Sequence, residues 1–205
     1  MPNLLRIDAM ITLYHRPQTR SGSIVWLLEE LGAPYETRIV ASLRAQDGSG
    51  APDPENPHPH GKVPALTDDG HTIFESGAIA LYLTDKFPEA KMGPLPGDAM
   101  RGEYLSWLFY RAGVMEPAFM ERRMGFKHVY GAMGWGTPEE VEEVLNAHLA
   151  KNKYFLGDEF SAADIMVGGG IYFMTTFKMM AETEVTKEYC ARLTARPAFA
   201  KMMSS

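Results

Sequence analysis

Gly61-Lys62-Val63-Pro64-Ala65-Leu66, then a short acidic turn, then Phe74-Glu75-Ser76-Gly77-Ala78-Ile79-Ala80-Leu81-Tyr82-Leu83 is the stretch whose reading decides the fold. Proline inside the apolar run Val63 to Leu66 has no N–H for a ladder, so a strand starts, bends or lies at an edge there. Neighbouring backbone is left free to exchange main-chain hydrogen bonds with an extended ligand, Val63 first of all. The Glu75-Ser76 corner then opens a helix. It offers a carboxylate for an amine, a hydroxyl, and N-terminal amides for an anion. Together these describe a small site for a peptide-like anion.

Working outward, Ile11 to Tyr14 is a short β-type run, and Ile24 to Leu31 carries apolar residues at helical spacing with Gly32 as its stop. Tyr35 to Val40 reads as a second strand, which completes a βαβ unit. Arg44 to His60 is rich in Gly, Pro, Asp and His without periodicity and reads as a surface excursion beside a site. Val63 to Leu66 and His71 to Phe74 flank Asp68-Asp69-Gly70 as a hairpin, and Ser76 to Lys86 is a helix. Between Phe87 and Gly97 the chain turns to Pro88, Gly93, Pro94, Pro96 and Gly97, a connector composition. Ala99 to Met115, Pro138 to Lys151 and Ser161 to Met180 all have helical periodicity, so the second half is expected to be all-α.

The expected organisation is an N-terminal extension over 1–9, an α/β domain over 10–87, a linker over 88–97 and an all-helical domain over 98–205. With 205 residues, two domains of roughly 80 to 120 residues each can hold a core. A net charge of −6 and a pI near 5.5 give no basic footprint for nucleic acid or an anionic membrane. No apolar run approaches the roughly 20 residues of a membrane span, and Met1 to Met10 lacks the apolar segment of a secretory signal. A soluble cytoplasmic protein is expected. The single Cys190 allows no intramolecular disulfide and no Cys-x-x-Cys pair, which excludes dithiol oxidoreduction by the chain's own residues. Cys190 itself reads as a half-buried structural residue.

The central stretch resembles the glutathione-binding half of cytosolic glutathione transferases, with their cis-proline and their Glu-Ser turn. Ile11 to Tyr14 through Trp26-Leu27-Leu28-Glu29-Glu30-Leu31-Gly32-Ala33-Pro34-Tyr35 is similar to the first strand and helix of that family's thioredoxin-like domain. Tyr154-Phe155-Leu156-Gly157-Asp158 with Phe160 to Ile165 resembles its helical capping motif, and Ala195-Arg196-Pro197-Ala198-Phe199 its closing segment. The four pieces stand in the family's order over nearly the whole chain. The resemblance implies a thioredoxin-like domain plus an all-α domain, glutathione as co-substrate, no metal, a small hydrophobic electrophile and a homodimer, with a non-catalytic binding protein of the same fold, or a glutathione-dependent isomerase or peroxidase, as the alternatives. A γ-glutamyl peptide has the groups complementary to Glu75, Ser76 and Val63, with Pro64 shaping the bend; Lys62 either pairs with a ligand carboxylate or is a solvated strand residue.

The chemistry such a site needs is thiol ionisation. A free cysteine thiol titrating near 8.5 is only about 3 per cent thiolate at neutral pH. The loop Arg16-Pro17-Gln18-Thr19-Arg20-Ser21-Gly22-Ser23 precedes the first helix, where a hydroxyl and unpaired amides can meet a thiolate. Ser21 is the first candidate, in the manner of serine-type members, with a helix N-cap as its plainer reading. Thr19 is a neighbour at suitable spacing from Trp26. Tyr14 matches the tyrosine of tyrosine-type members. Cysteine-type members place Cys where this chain has Arg20, which is free to hold a carboxylate. On the helix after the connector, Trp107, Tyr110 and Arg111 are candidate electrophile contacts, with interdomain or dimer packing as the alternative. His58-Pro59-His60 with His71 lacks the partners and spacing of usual zinc sites. Ser161 and Asp164 form a helix N-terminal box and serve folding.

Overall fold

Alternation of buried Ile11, Leu13 and His15 with half-buried Thr12 and Tyr14 makes β1 (Ile11–His15). The protein is described here by a computed structural model covering residues 10–41 and 49–205. Residues 1–9, and the 42–48 part of the Gly- and Pro-rich excursion, lie outside the described residues. β1 runs parallel to β2 (Tyr35–Ile39) and antiparallel to β3 (Ala65–Asp68), which pairs antiparallel with β4 (His71–Phe74), in the order β2-β1-β3-β4. β3 begins one residue after the cis Val63-Pro64 bond. Asp69 and Gly70, both at positive φ, make the tight turn of the β3–β4 hairpin.

Helix α1 (Gly22–Leu31) lies between β1 and β2, and α2 (Ser76–Lys86) follows β4. Ile24, Val25, Leu27 and Leu28 are buried with Leu13 and Leu66 of the sheet. Gly32 at φ 60° ends α1, and the Ala33 N–H reaches back to the Leu28 carbonyl. A 3-10 turn over Pro88–Ala90 is the one regular piece of the connector.

The second half holds no strand among the described residues. Its helices are α3 (Arg101–Tyr110), α4 (Glu116–Met124), α5 (Pro138–Leu149), α6 (Gly169–Thr176), α7 (Glu184–Thr194) and α8 (Pro197–Ser204). The run predicted to be one helix from Ala99 to Met115 widens into a π turn at Arg111–Met115 before α4. Pro117 explains this, since it has no N–H to give to residue 113. A second π turn, Asp164–Gly168, precedes α6. Thr137 and Thr183 cap α5 and α7 through reciprocal capping boxes.

Asp164 is fully buried and accepts four hydrogen bonds. Oδ2 takes the Ser161 N–H (2.9 Å) and hydroxyl (3.2 Å); Oδ1 takes the Phe155 N–H (2.9 Å) and the Tyr189 hydroxyl (2.8 Å). The Ser-x-x-Asp box is therefore a folding device that joins α7 to the Tyr154–Asp158 loop. Cys190 is half-buried in α7, and burial pushes its thiol up to about 11. No helix among the described residues is long and apolar enough to cross a membrane.

Candidate active site

Register brings three loops to one end of the sheet. Tyr14 pairs with Ala65 and Ala65 with Phe74, so the loop leaving β1, the Val63-Pro64 bend entering β3 and the Glu75-Ser76 corner leaving β4 lie side by side. Val63 is half-buried and ahead of its strand, and Lys62 is exposed. Glu75 takes φ 70° and ψ 123°, a region rarely used by a residue with a side chain and costing of order 1–3 kcal/mol. That strained corner leaves the Glu75 side chain exposed at the mouth of α2, with no cap hydrogen bond of its own. The first N–H of α2 to meet a backbone carbonyl is that of Ile79, bonded to Glu75. The Ser76, Gly77 and Ala78 amides thus leave the helix end without a backbone acceptor among the described residues, a site suited to a carboxylate.

The β1–α1 loop contributes two hydroxyls with different access. Ser21 is at 0% exposure, and its Oγ meets His15 Nδ1 at 2.8 Å, Thr19 Oγ1 at 2.7 Å, and the Arg16 N–H and carbonyl at 3.1 Å each. It occupies the N-cap position of α1 but makes no cap hydrogen bond. Thr19 is half-buried and donates to the Arg16 carbonyl at 2.7 Å. The amides at the start of α1 are not free as expected, because Gly22 and Ser23 donate to the Thr19 and Arg20 carbonyls. Tyr14 points to the sheet face opposite His15 and lies against Arg38, its register partner on β2.

A family model described as the glutathione S-transferase N-terminal domain matches residues 9–85. Glutathione S-transferase 3 of Schizosaccharomyces pombe is 31% identical over 173 residues, covering 76% of this chain and 70% of that protein. The chain belongs to the glutathione S-transferase family. A second relative, the disulfide-bond oxidoreductase YghU of Escherichia coli, is 30% identical over 221 residues, covering 92% of this chain and 72% of that one. Among solved structures, a sphingomonad glutathione S-transferase complexed with glutathione superposes with a TM-score of 0.70 at 26% identity, over 94% of this chain and 97% of that one.

In this glutathione S-transferase family member, Arg20 does hold a carboxylate, and it is the protein's own. Its Nε donates to Glu116 Oε2 at 2.7 Å, while Arg111 Nε donates to Glu116 Oε1 at 3.1 Å and Arg111 Nη1 to Ser23 Oγ at 3.1 Å. Glu116 therefore ties the β1–α1 loop, the start of α1 and the π turn into one interdomain clamp. Arg111 is 8% exposed, and desolvation by burial works against its charge, so this pairing is what keeps the guanidinium tolerable inside. Glu116→Gln, which keeps one acceptor and removes the charge, is expected to cost about 1–2 kcal/mol. A circular-dichroism melt identical to wild type would show that the clamp contributes nothing.

Trp107 is buried between Tyr110, His148 and Phe155, with ring centroids at 5.2, 4.6 and 4.7 Å, and so belongs to the helical core. Tyr110 is half-buried beside it. In the excursion, Asn56 and His58 are buried, a departure from the surface segment expected there: Asn56 donates to the Lys62 carbonyl and accepts from His58 N–H, and His58 Nδ1 accepts from His60 N–H. These contacts satisfy local backbone and shape the turn beneath Lys62. No group of three or more His, Cys, Asp or Glu among the described residues is arranged to hold a metal.

Sequence reasoning missed His15 and Glu116. A five-residue spacing from Arg111 to Glu116 puts the pair off a common α-helical face, and the π turn is what brings them together. His15 carried no signal beyond its place at the end of β1.

Proposed function

We propose that the protein is a glutathione transferase that binds the tripeptide at this end of the sheet, ionises its thiol and delivers the sulfur to a small hydrophobic electrophile. The observation that carries the reading is the convergence of the Glu75-Ser76 corner, the Val63 backbone ahead of β3 and the Thr19 hydroxyl. Glu75 accepts from the α-ammonium of the γ-glutamyl residue, and Ser76 with the opening amides of α2 takes its α-carboxylate. Val63 exchanges main-chain hydrogen bonds with the cysteinyl residue. Thr19 turns its hydroxyl hydrogen from the Arg16 carbonyl to the sulfur, a role for which its access favours it over Ser21 and over Tyr14. Nucleophilic addition or substitution follows, with positioning supplying most of the acceleration. Residues 10–87 form the glutathione domain, and 98–205 the helical domain that completes the cleft with Tyr110 at its wall. A cytoplasmic homodimer belongs to the same reading.

Isothermal titration with glutathione is the test. Glu75→Gln keeps the corner's shape but weakens binding about tenfold, or 1.4 kcal/mol, without moving the melting temperature. Wild-type affinity in this variant would remove the amine anchor. The relative named a disulfide-bond oxidoreductase supports a second use of the same thiolate. Attack on a disulfide would form a mixed disulfide with glutathione and expel one substrate thiolate; a second glutathione thiolate would then attack the glutathione sulfur of that bond, giving glutathione disulfide and expelling the other substrate thiolate. Both thiols come from glutathione, since the chain has a single cysteine, half-buried in α7.

A further inference from the structure

Behind the two loop hydroxyls lies a buried imidazole that no step above uses. His15 is 1% exposed, its Nδ1 is 2.8 Å from Ser21 Oγ, and its Nε2 is buried with no hydrogen-bond partner among the described residues. Burial holds the ring below the ordinary histidine range, with the Ser205 backbone acting the other way. Glu29, Tyr35, Lys201 and Ser205 line, with His15, the recess beside the ring. A neutral ring carries one N–H. On Nε2 that hydrogen would meet no acceptor in hydrogen-bonding geometry among the described residues, whereas on Nδ1 it is bonded to Ser21.

Counting hydrogens from there fixes the chain. With His15 Nδ1–H and the Arg16 N–H both donating to it, Ser21 Oγ has no lone pair left and must donate its own hydrogen. Its nearest acceptor is Thr19 Oγ1 at 2.7 Å, against 3.1 Å to the Arg16 carbonyl. Thr19 Oγ1, also receiving the Ser21 N–H at 3.3 Å, is then filled as an acceptor and can act solely as a donor, its one hydrogen resting on the Arg16 carbonyl at 2.7 Å until a sulfur competes for it. With the hydrogen on Nε2 the order reverses: Ser21 donates to the ring, and its Oγ, 2.7 Å from Thr19 Oγ1, becomes a further acceptor that competes with a sulfur for the Thr19 hydrogen.

We infer that His15 is a positioning residue that sets the direction of the Ser21–Thr19 hydroxyl relay and so aims the Thr19 hydrogen at the glutathione thiol. The inference rests on Thr19 being the thiolate donor. It is tested by titrating the bound glutathione thiol through its thiolate ultraviolet absorbance, with binding of S-methylglutathione as the control. His15→Leu and Ser21→Ala are each expected to raise the bound thiol's pKa by about one unit and to leave the S-methylglutathione affinity unchanged. The double variant shifts no further than either single one. His15→Asn, whose amide reaches the Nδ1 position, restores the wild-type value. Should His15→Leu not fold, His15→Gln, whose amide reaches Nε2 instead, carries the comparison. A wild-type pKa in the His15 variants alongside a raised one in Thr19→Val overturns the relay alone; a wild-type pKa in Thr19→Val overturns the donor assignment and the relay with it.

Discussion

Thr19→Val, which swaps a hydroxyl for a methyl of nearly the same size, is expected to lower turnover about 30-fold at pH 7 and to recover most of it by pH 9. The size of the effect follows from ionisation. A thiol at its free pKa is about 3 per cent thiolate at neutral pH, and a donor hydrogen bond that lowers the value by about two units makes it mostly thiolate. Once the solution pH itself exceeds the free thiol's pKa, the donor adds little. Thr19→Ser keeps the donor and is expected to stay within a few-fold of wild type. The measurement is kcat/KM against pH for one electrophile. Parallel profiles for wild type and Thr19→Val would sink the assignment, because a purely structural defect scales the rate at every pH.

The second large effect is on folding. Asp164→Ala removes the acceptor of two backbone N–H groups and two hydroxyls in one step: the Phe155 and Ser161 amides and the Ser161 and Tyr189 hydroxyls all lose their partner. Four donors stranded at a fully buried position should cost about 3–5 kcal/mol, read as a large drop in the urea midpoint. Asp164→Asn fares better but not well, since its amide nitrogen turns a donor toward donors. The pH dependence has a definite sign. Desolvation is the largest influence on this carboxyl and raises it to about 6, with its hydrogen bonds pulling the other way. A folded-state value above the unfolded one means that the group's contribution is fully present below about pH 4 and is lost as pH rises through about 6, by roughly 3 kcal/mol. The difference in stability between wild type and Asp164→Asn should therefore shrink across that window. A constant difference from pH 4 to 7 would show that Asp164 titrates at the same pH folded and unfolded.

Local signals carried much of the architecture. Ser76 to Lys86 and His71 to Phe74 are bounded in the sequence by a helix-opening acidic corner and an Asp-Gly turn, and the structure uses the same limits. Ile24 to Leu31 was legible because its apolar residues face the sheet at helical spacing and a glycine ends it. What stayed hidden depends on contacts between distant parts of the chain. Ser21 and Thr19 are equivalent by type and spacing, and the ring of His15 decides that the serine turns inward. Trp107 sits on a helix with aromatics on more than one face; Phe155 and His148, some forty residues later, determine which face is buried. Arg20 reads as a free cation until Glu116, 96 residues away, arrives beside it.

α8 lies along α1: the Trp26 and Phe199 rings meet edge to face at 5.1 Å, Arg196 forks onto both carboxylate oxygens of Glu30, and a Cβ on Gly22 would come within 3.2 Å of Met202. During synthesis Glu30 and Arg196, the nearest of these partners along the chain, emerge 166 residues apart, an interval of roughly ten to thirty seconds at ribosomal speed. Throughout that interval the nascent α/β half has the Trp26 face of its first helix uncovered. A ribosome-bound chain halted before Pro197 should accordingly engage chaperones that recognise apolar surface and be cut by protease within the first hundred residues, and release of the last helix should close both windows together.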